Sequence, residues 1–316
     1  MRFSCLFLAL FLFACQEAKQ QPETANDTMP NEIEIVNSSP EDFDWQGHRG
    51  ARGLAPENTV AGFMRALDFP AITTLELDLV VSKDESLVVS HEPWMSAEIC
   101  TDQEGKPIAK DQARSYNIYE MDYLQVSAFD CGKKGNERFP EQATFSAIKP
   151  RFLDVVKVVE QQIAKKNRPA IRYNIEIKTT PEGDGIFHPT PEKFATLLID
   201  ELNRLTIKDR ATIQSFDVRA LQAAHRIDPS ISLAFLVEEA SDLEENLKIL
   251  GFTPNIYSPY HQLVDEKMIR QAEAKSIKVI PWTVNDPERM KVLMELGVNG
   301  IITDYPNRIA QVLQDS

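Results

Sequence analysis

Eight short segments rich in β-branched and aromatic residues alternate with segments of helical periodicity along this 316-residue chain, and this alternation constrains the fold most. The predicted strands are residues 44–49, 73–81, 170–178, 211–216, 231–237, 255–259, 278–284 and 300–304. Between the first two, apolar residues recur at the helical period and predict a helix that begins at Pro56. Eight strands that each precede a helix favour an α/β fold of the closed (β/α)8 TIM-barrel type over an open doubly wound sheet. The predicted barrel domain covers residues 44–316.

One stretch departs from the alternation and predicts an insertion after the second strand. Residues 87–93 indicate a short extra strand in a hairpin, and residues 94–147 are rich in polar and turn residues. Loops that follow barrel strands lie at the C-terminal face, so we expect this insertion to form a lid over any site there. It contains Cys100 and Cys131, which we predict to form a disulfide in an oxidising compartment, with two free thiols as the alternative.

The N-terminus predicts export and lipidation. In residues 1–14, Arg2 precedes an apolar run that is too short to span a bilayer and is typical of a secretory signal peptide. The run ends in a sequence that resembles a bacterial lipobox, which predicts lipidation of Cys15. A plain signal peptide cut elsewhere is the alternative. We therefore expect a lipid-anchored protein of the bacterial cell envelope that faces the periplasm.

Composition limits the partners. Residues 15–43 are polar and almost free of aromatic residues, which is typical of a flexible tether. Gln16 takes the place of the aspartate that retains lipoproteins in the inner membrane, so the outer membrane is favoured. The chain carries 48 acidic and 34 basic residues, a net charge of −14, which argues against nucleic-acid binding and leaves the lipid anchor as the expected membrane contact.

Two neighbouring predicted strands carry ionisable side chains on one face. Glu76 and Asp78 alternate with leucines, and Glu176 and Lys178 alternate with isoleucines. An isolated acidic pair of this spacing most often marks a half-solvated strand. Both faces of a barrel strand are buried, however, so these four groups would lack partners in a plain core. Three converging carboxylates predict a site for one divalent cation, Ca²⁺ or Mg²⁺, beside an anion.

Two histidines are candidates for proton transfer. His48 and Arg49 follow the first strand between glycines that permit close backbone approach, and His91 follows the hairpin strand in a loop-forming segment. We assign His188, His225 and His261 to surface or structural roles, because His225 lies on a predicted helix and the other two lie on loops without an acidic partner nearby.

Eight motifs in order resemble the glycerophosphodiester phosphodiesterase family. They are His48-Arg49-Gly50, Ala55 to Thr59, Glu76-Leu77-Asp78, His91, Asn174 to Lys178, Gln214-Ser215-Phe216, Trp282 to Asn285 and Gly300 to Asp304. The resemblance runs from about residue 45 to the C-terminus and implies a (β/α)8 barrel with a lid-like insertion. The chain departs from the family pattern at Glu92, where aspartate is usual, and at Glu85, where a turn glycine is usual.

The resemblance also implies a role for each matching residue. The implied metal ligands are Glu76, Asp78 and Glu176; the acid/base pair is His48 and His91; the phosphate contacts are Arg49 and Lys178; and the further substrate-site residues are Glu57, Asn58 and Trp282. The implied reaction is metal-dependent hydrolysis of glycerophosphodiesters to glycerol 3-phosphate and an alcohol.

We assign His48 as the base, acting on water or on the glycerol 2-hydroxyl, and His91 as the acid on the departing alcohol. The hydroxyl route would pass through a cyclic phosphate that is hydrolysed afterwards. Two alternatives are a phospholipase D-like lyase that releases cyclic phosphates from lysophospholipids and a lipoprotein that binds phosphorylated ligands without turnover. The complete set of histidines and carboxylates favours the hydrolase.

Overall fold

The structure is a computed structural model that describes residues 43–240 and 242–314. Its strands are β1 (Asp44–Gly47), β2 (Thr74–Val81), β3 (Leu87–Val89), β4 (Arg172–Ile177), β5 (Ala211–Ser215), β6 (Ser232–Val237), β7 (Ile256–Pro259), β8 (Lys278–Val279) and β9 (Gly300–Thr303). Its α-helices are α1 (Val60–Ala66), α2 (Tyr123–Val126), α3 (Phe152–Lys166), α4 (Pro191–Arg204), α5 (Val218–Ile227), α6 (Leu243–Leu250), α7 (Glu266–Glu273), α8 (Pro287–Glu295) and α9 (Ile309–Gln314). Short 3₁₀ helices cover Ala113–Ser115, Ile118–Glu120, Pro181–Gly183, Lys208–Arg210, His261–Leu263 and Pro306–Arg308.

Eight parallel strands form the predicted barrel. Their order is β8-β7-β6-β5-β4-β2-β1-β9, and β3 pairs antiparallel with β2 outside this path. The ends meet through hydrogen bonds from Asn299 N to Val279 O (2.8 Å) and from Ile302 N to Pro281 O (3.0 Å). The strand predicted at 278–284 is shorter, since Pro281 has no amide hydrogen for the ladder. The predicted α/β TIM-barrel fold is confirmed.

The first helix begins later than predicted. The assignment of Pro56 as its first residue was wrong, because Asn58 has a left-handed backbone (φ 55°) and helix α1 starts at Val60. Thr59 caps it and accepts a hydrogen bond from Gly62 N at 3.0 Å. The turn before α1 thereby places the Asn58 side chain next to strand β2.

The strands present apolar residues to the helices and polar residues to the interior of half the barrel. Leu75, Leu77 and Leu79 of β2 belong to the main core between sheet and helices. On the opposite side of the barrel the interior is apolar, filled by a small separate cluster: Ala234, Ile256, Ile280 and Ile302. The ionisable residues of β2 and β4 consequently lie in one half of the barrel interior.

The hairpin of β2 and β3 leads the chain to His91. Its turn contains Glu85 with a left-handed backbone (φ 59°), the conformation that explains why a glycine is usual there. The turn is nevertheless closed by the hydrogen bond from Glu85 N to Ser82 O at 3.0 Å. Glutamate at this position therefore leaves the hairpin formed.

The insertion has a hydrophobic cluster of its own. Met95, Ile118 and Phe129 pack with Val80 and Val88 of the hairpin. A disulfide joins Cys100 and Cys131 within this cluster. Within the described residues no helix is long and apolar enough to cross a membrane.

Loss of the disulfide should loosen the insertion. The two cysteines are 31 residues apart in the sequence. For a loop of this length, replacement of both cysteines by serine is expected to lower the stability of the folded insertion by about 3–4 kcal/mol. We expect trypsin to cleave the double variant within 94–147 much faster than the wild-type protein, with the barrel transition less affected. Equal cleavage rates for the two proteins would contradict this expectation.

Candidate active site

Three carboxylates meet inside the barrel near the C-terminal ends of β2 and β4. Asp78 pairs in register with Glu176 on the neighbouring strand, and Glu76 lies two residues before Asp78 on the same face. One ligand oxygen from each of these residues, the acidic cluster, lies within 4.8 Å of the others. All three side chains are buried. The cluster brings together the three predicted metal ligands.

The pKa values of the cluster reflect burial and mutual repulsion. Burial and the charge of Asp78 raise the pKa of Glu76 well above its usual range. Burial raises the pKa of Glu176 to about 7 against the opposing charge of Lys178. Burial also disfavours ionised Asp78, but the charges of Arg49 and Lys178 outweigh it and hold that pKa well below its usual range. A divalent cation would relieve the repulsion among these carboxylates.

Two buried atoms beside the cluster lack hydrogen-bond partners among the described residues. They are Asp78 Oδ1, an acceptor, and Arg49 Nε, a donor that lies 3.1 Å from Asp78 Oδ2 in an ion pair without hydrogen-bond geometry. Lys178 Nζ lies 3.9 Å from Asp78 Oδ1, beyond hydrogen-bond distance. Buried polar atoms are rarely left without partners. A carboxylate oxygen without a hydrogen bond among three carboxylates fits a hard cation.

The turn after β1 fixes Arg49. Its backbone is left-handed (φ 50°), and its backbone N–H donates to Glu76 Oε2 at 2.8 Å. Its side chain donates to Glu57 Oε1 at 2.9 Å, while Asn58 Nδ2 donates to Asp78 Oδ2 at 2.8 Å. Gly50 permits this turn, because a Cβ there would lie 2.5 Å from the backbone of Gly62. Glu57 and Asn58 thus hold the groups of the site in place.

His48 lies between two carboxylates. Its Nδ1 is 2.6 Å from Asp304 Oδ1, and its Nε2 is 3.9 Å from Glu76 Oε2. Burial lowers the pKa of His48, although Asp304 opposes the shift. A neutral ring that donates Nδ1–H to Asp304 leaves the Nε2 lone pair facing the acidic cluster. This arrangement suits a proton acceptor.

His91 lies at the mouth of the site and about one-third of its side chain is exposed (32%). Its Nδ1 is 2.8 Å from Glu92 Oε1, so the glutamate that replaces the usual aspartate still contacts the ring. Burial, with the charges of Arg49 and Lys178, lowers the pKa of His91 to about 4. Lys178 itself pairs with Glu176 at 2.9 Å. Both predicted histidines therefore have a carboxylate partner on Nδ1.

A cavity of about 360 Å³ connects these groups, and we call it the central cavity. His48, His91 and Glu176 line its polar side, and Trp282 and Phe216 line its apolar side. The two aromatic rings meet edge to face with centroids 5.4 Å apart. A larger groove of about 1020 Å³ lies between α1 and the end of the insertion and contains none of the predicted site residues.

Comparison with known families identifies the chain. Residues 48–308 match the model of the glycerophosphoryl diester phosphodiesterase family. The chain belongs to that family. The resemblance seen in the eight motifs is confirmed, and the family is one of phosphoric diester hydrolases.

Curated relatives and solved structures cover nearly the same part of the chain. A glycerophosphodiester phosphodiesterase from Bacillus altitudinis is 28% identical over 284 residues, which is 85% of this chain and 97% of the relative. A solved family homologue from Silicibacter pomeroyi is 27% identical, with a TM-score of 0.76 over 86% of this chain and 93% of that one. An Oleispira antarctica phosphodiesterase solved with the product sn-glycerol-3-phosphate is 22% identical, with a TM-score of 0.67 over 86% of this chain and 97% of that one, and this likeness shows the fold.

The structure brings most of the predicted site residues of this family member together, and it adds others. Cys15 lies outside the described residues. The three histidines given structural roles belong neither to the acidic cluster nor to the lining of the central cavity; His225, for example, stacks on Phe252. Asp304, Gln214 and Lys149 had no predicted role, although Gln214 Nε2 donates to Glu76 Oε1 at 2.7 Å.

Proposed function

We propose that this family member hydrolyses glycerophosphodiesters to glycerol 3-phosphate and an alcohol, with a divalent cation at the acidic cluster. The observation that carries the proposal is the buried acidic cluster, in which Asp78 Oδ1 has no hydrogen-bond partner among the described residues, with His48 and His91 at the adjoining cavity. The names of similar proteins support it, since the Bacillus altitudinis relative is a glycerophosphodiester phosphodiesterase and the Oleispira antarctica enzyme holds sn-glycerol-3-phosphate.

Arg49 and Lys178 bind the non-bridging oxygens of the diester. Both cations line the central cavity, and guanidinium and ammonium groups form charge-assisted hydrogen bonds with phosphate oxygens. A cation held by Glu76, Asp78 and Glu176 would supply Lewis-acid stabilisation of the charge that develops on these oxygens. Trp282 and Phe216 form the apolar wall against which the carbons of glycerol pack.

His48 acts as the general base and His91 as the general acid. Nε2 of His48 takes the proton from water or from the glycerol 2-hydroxyl, and Asp304 stabilises the resulting charge on the ring. His91 stands at the mouth, where the alcohol leaves, and donates a proton to its oxygen. The contact with Glu92 and the negative charge of a bound diester both favour the protonated ring and so oppose the burial that lowers the pKa of His91 to about 4.

Chelation and metal add-back test the proposal. We expect glycerol 3-phosphate release to fall at least about 100-fold after exhaustive chelation and to return with Ca²⁺ or Mg²⁺. Metal content is measured by mass spectrometry, and phosphorus NMR identifies the product as a monoester rather than a persistent cyclic phosphate. Full activity of verified metal-free protein would exclude the acidic cluster as a catalytic cation site.

We further propose that Cys15 is lipidated and that the enzyme is anchored in the bacterial envelope, facing the periplasm. The support is the lipobox-like sequence alone. Mass spectrometry of the N-terminal peptide from membrane fractions tests it, and an unmodified Cys15 in that peptide would overturn the anchor.

A further inference from the structure

A second cavity of about 240 Å³ lies on the insertion side of the site, and we call it the side cavity. It shares Arg49, Arg52 and His91 with the central cavity. His91 therefore stands where the two cavities meet. In the proposed reaction, an alcohol that is protonated by His91 and leaves away from the aromatic wall would enter this space. The side chains of the side cavity consequently face the leaving group.

Lys149 is a buried cation in the side cavity. Only 5% of the residue is exposed, and its Nζ donates to Ser90 Oγ at 2.7 Å. Within the described residues, no carboxylate oxygen lies within ion-pair distance of this nitrogen. Burial lowers the pKa of Lys149 to about 8, so the ammonium form still predominates at neutral pH. A buried ammonium group that is paired with one neutral hydroxyl retains two N–H donors for a ligand.

Asn136 provides a second donor in the same cavity. The residue is 8% exposed, and its Nδ2 has no hydrogen-bond partner among the described residues. Its Oδ1 accepts from Arg138 N at 3.1 Å, which settles which end of the amide is the donor. Two buried side chains of different types thus present unpaired N–H groups to one space.

Each acidic residue of the side cavity already contacts a basic side chain. Glu57 receives Arg49 Nη1 at 2.9 Å and Arg52 Nε at 2.7 Å, so two guanidinium groups compensate one carboxylate. Glu92 contacts His91, and Glu98 lies 3.6 Å from Arg138 at the exposed rim. Lys149 interacts with Glu57 and Glu92 only at longer range, and within the described residues no carboxylate pairs with it directly. The cavity therefore favours a ligand with negatively charged oxygens.

We propose that Lys149 and Asn136 bind an anionic oxygen group on the leaving alcohol and so set the headgroup preference of the enzyme. The inference rests on the proposed function. Lys149 supplies the charge and Asn136 a directional hydrogen bond to a carboxylate or a phosphate. A trimethylammonium group would face the like charge of Lys149, and it cannot accept the hydrogen bonds that Lys149 and Asn136 offer. The enzyme accordingly prefers diesters with anionic headgroups to the choline diester.

The test compares Lys149→Met with the wild-type protein on four diesters: glycerophosphoserine, bis(glycerophospho)glycerol, glycerophosphoglycerol and glycerophosphocholine. We expect kcat/KM of the variant to fall roughly 10–100-fold for the first two, less for the third, and to stay within about 3-fold or rise for the choline diester. The leaving alcohol of glycerophosphoserine carries a carboxylate, and that of bis(glycerophospho)glycerol carries a second phosphate. Comparison of these two substrates distinguishes a carboxylate from a phosphate as the recognised group. Asn136→Ala is expected to shift the same ratio in the same direction by a smaller factor.

Controls separate selectivity from folding and positioning. Lys106→Met removes an exposed lysine of the insertion (75% exposed side chain) and should leave every rate unchanged. Thermal unfolding verifies that Lys149→Met is folded. An equal fall on all four diesters would show that Lys149 only positions His91 through Ser90, and this would overturn the inference alone. Absence of turnover by the wild-type protein on every diester would overturn the proposed function and the inference together.

Discussion

Replacement of Glu176 by Gln is expected to weaken metal binding and turnover strongly while the metal-free protein stays folded. Glu176 is one of three carboxylates of the acidic cluster, and an amide lacks the charge that holds a hard cation. We expect affinity for Ca²⁺ or Mg²⁺ to fall at least about 100-fold and glycerol 3-phosphate release to fall by a similar or larger factor.

The stability of this variant follows from the same electrostatics. Burial raises the pKa of Glu176 to about 7, so the ionised carboxylate is costly in the folded protein and an amide of equal shape removes that cost. The free energy of unfolding in urea with chelator should equal or exceed that of the wild-type protein at pH 8. Glu104→Gln, at an exposed position (73% exposed side chain), is the matched control. Calorimetric titration that found wild-type metal affinity in Glu176→Gln would remove this residue from the cation site.

The strand-borne part of the site could be predicted from sequence because strand side chains alternate with a period of two. Glu76 and Asp78 interrupt leucines at this period, and a buried barrel strand has no solvent face for them. The parallel pairing of Asp78 with Glu176 then brings the two strands' carboxylates together. Local sequence was sufficient here, since both the face and the end of the strand follow from the pattern.

The side chains that line the side cavity could not be predicted in the same way. Lys149 and Asn136 lie in segments without periodicity, and their burial depends on how the insertion packs on the hairpin and the barrel mouth. The predicted start of α1 was wrong for a related reason. Asn58 has a left-handed backbone beside Asp78, and local helix preference does not reveal this. Tertiary contacts decide such positions.

Asp304 is a different case, because its position at the end of a strand carried a signal. It follows β9, in the place where the other strands carry their catalytic side chains. The sequence motif contained this residue, but only the structure shows its contact with His48 Nδ1 at 2.6 Å. Asp304 affects the reaction only through His48 and is therefore a positioning residue.

Asp304→Asn is expected to lower kcat by about 10²–10⁴-fold with little change in KM, because the substitution reverses the tautomer of His48. Asn285 determines which way the new amide faces. Its Oδ1 accepts from Asp304 N at 2.9 Å, so its Nδ2 must donate to the side chain of residue 304, where the distance to Oδ2 is 2.7 Å. The new amide therefore turns its oxygen to Asn285 and its NH₂ to His48, whose Nδ1 must accept and whose Nε2 then carries the proton.

The double variant Asp304→Asn with Asn285→Ala separates this explanation from a general loss of structure. Without the donor of Asn285 the amide is free to turn its oxygen to His48 Nδ1, so the double variant should recover part of the activity that Asp304→Asn loses. Nitrogen NMR of the His48 ring should show Nε2 protonated in the single variant and Nδ1 protonated in the wild-type protein. Since His48 can accept a proton only at an unprotonated Nε2, an active single variant with the ring protonated at Nε2 would exclude His48 as the general base.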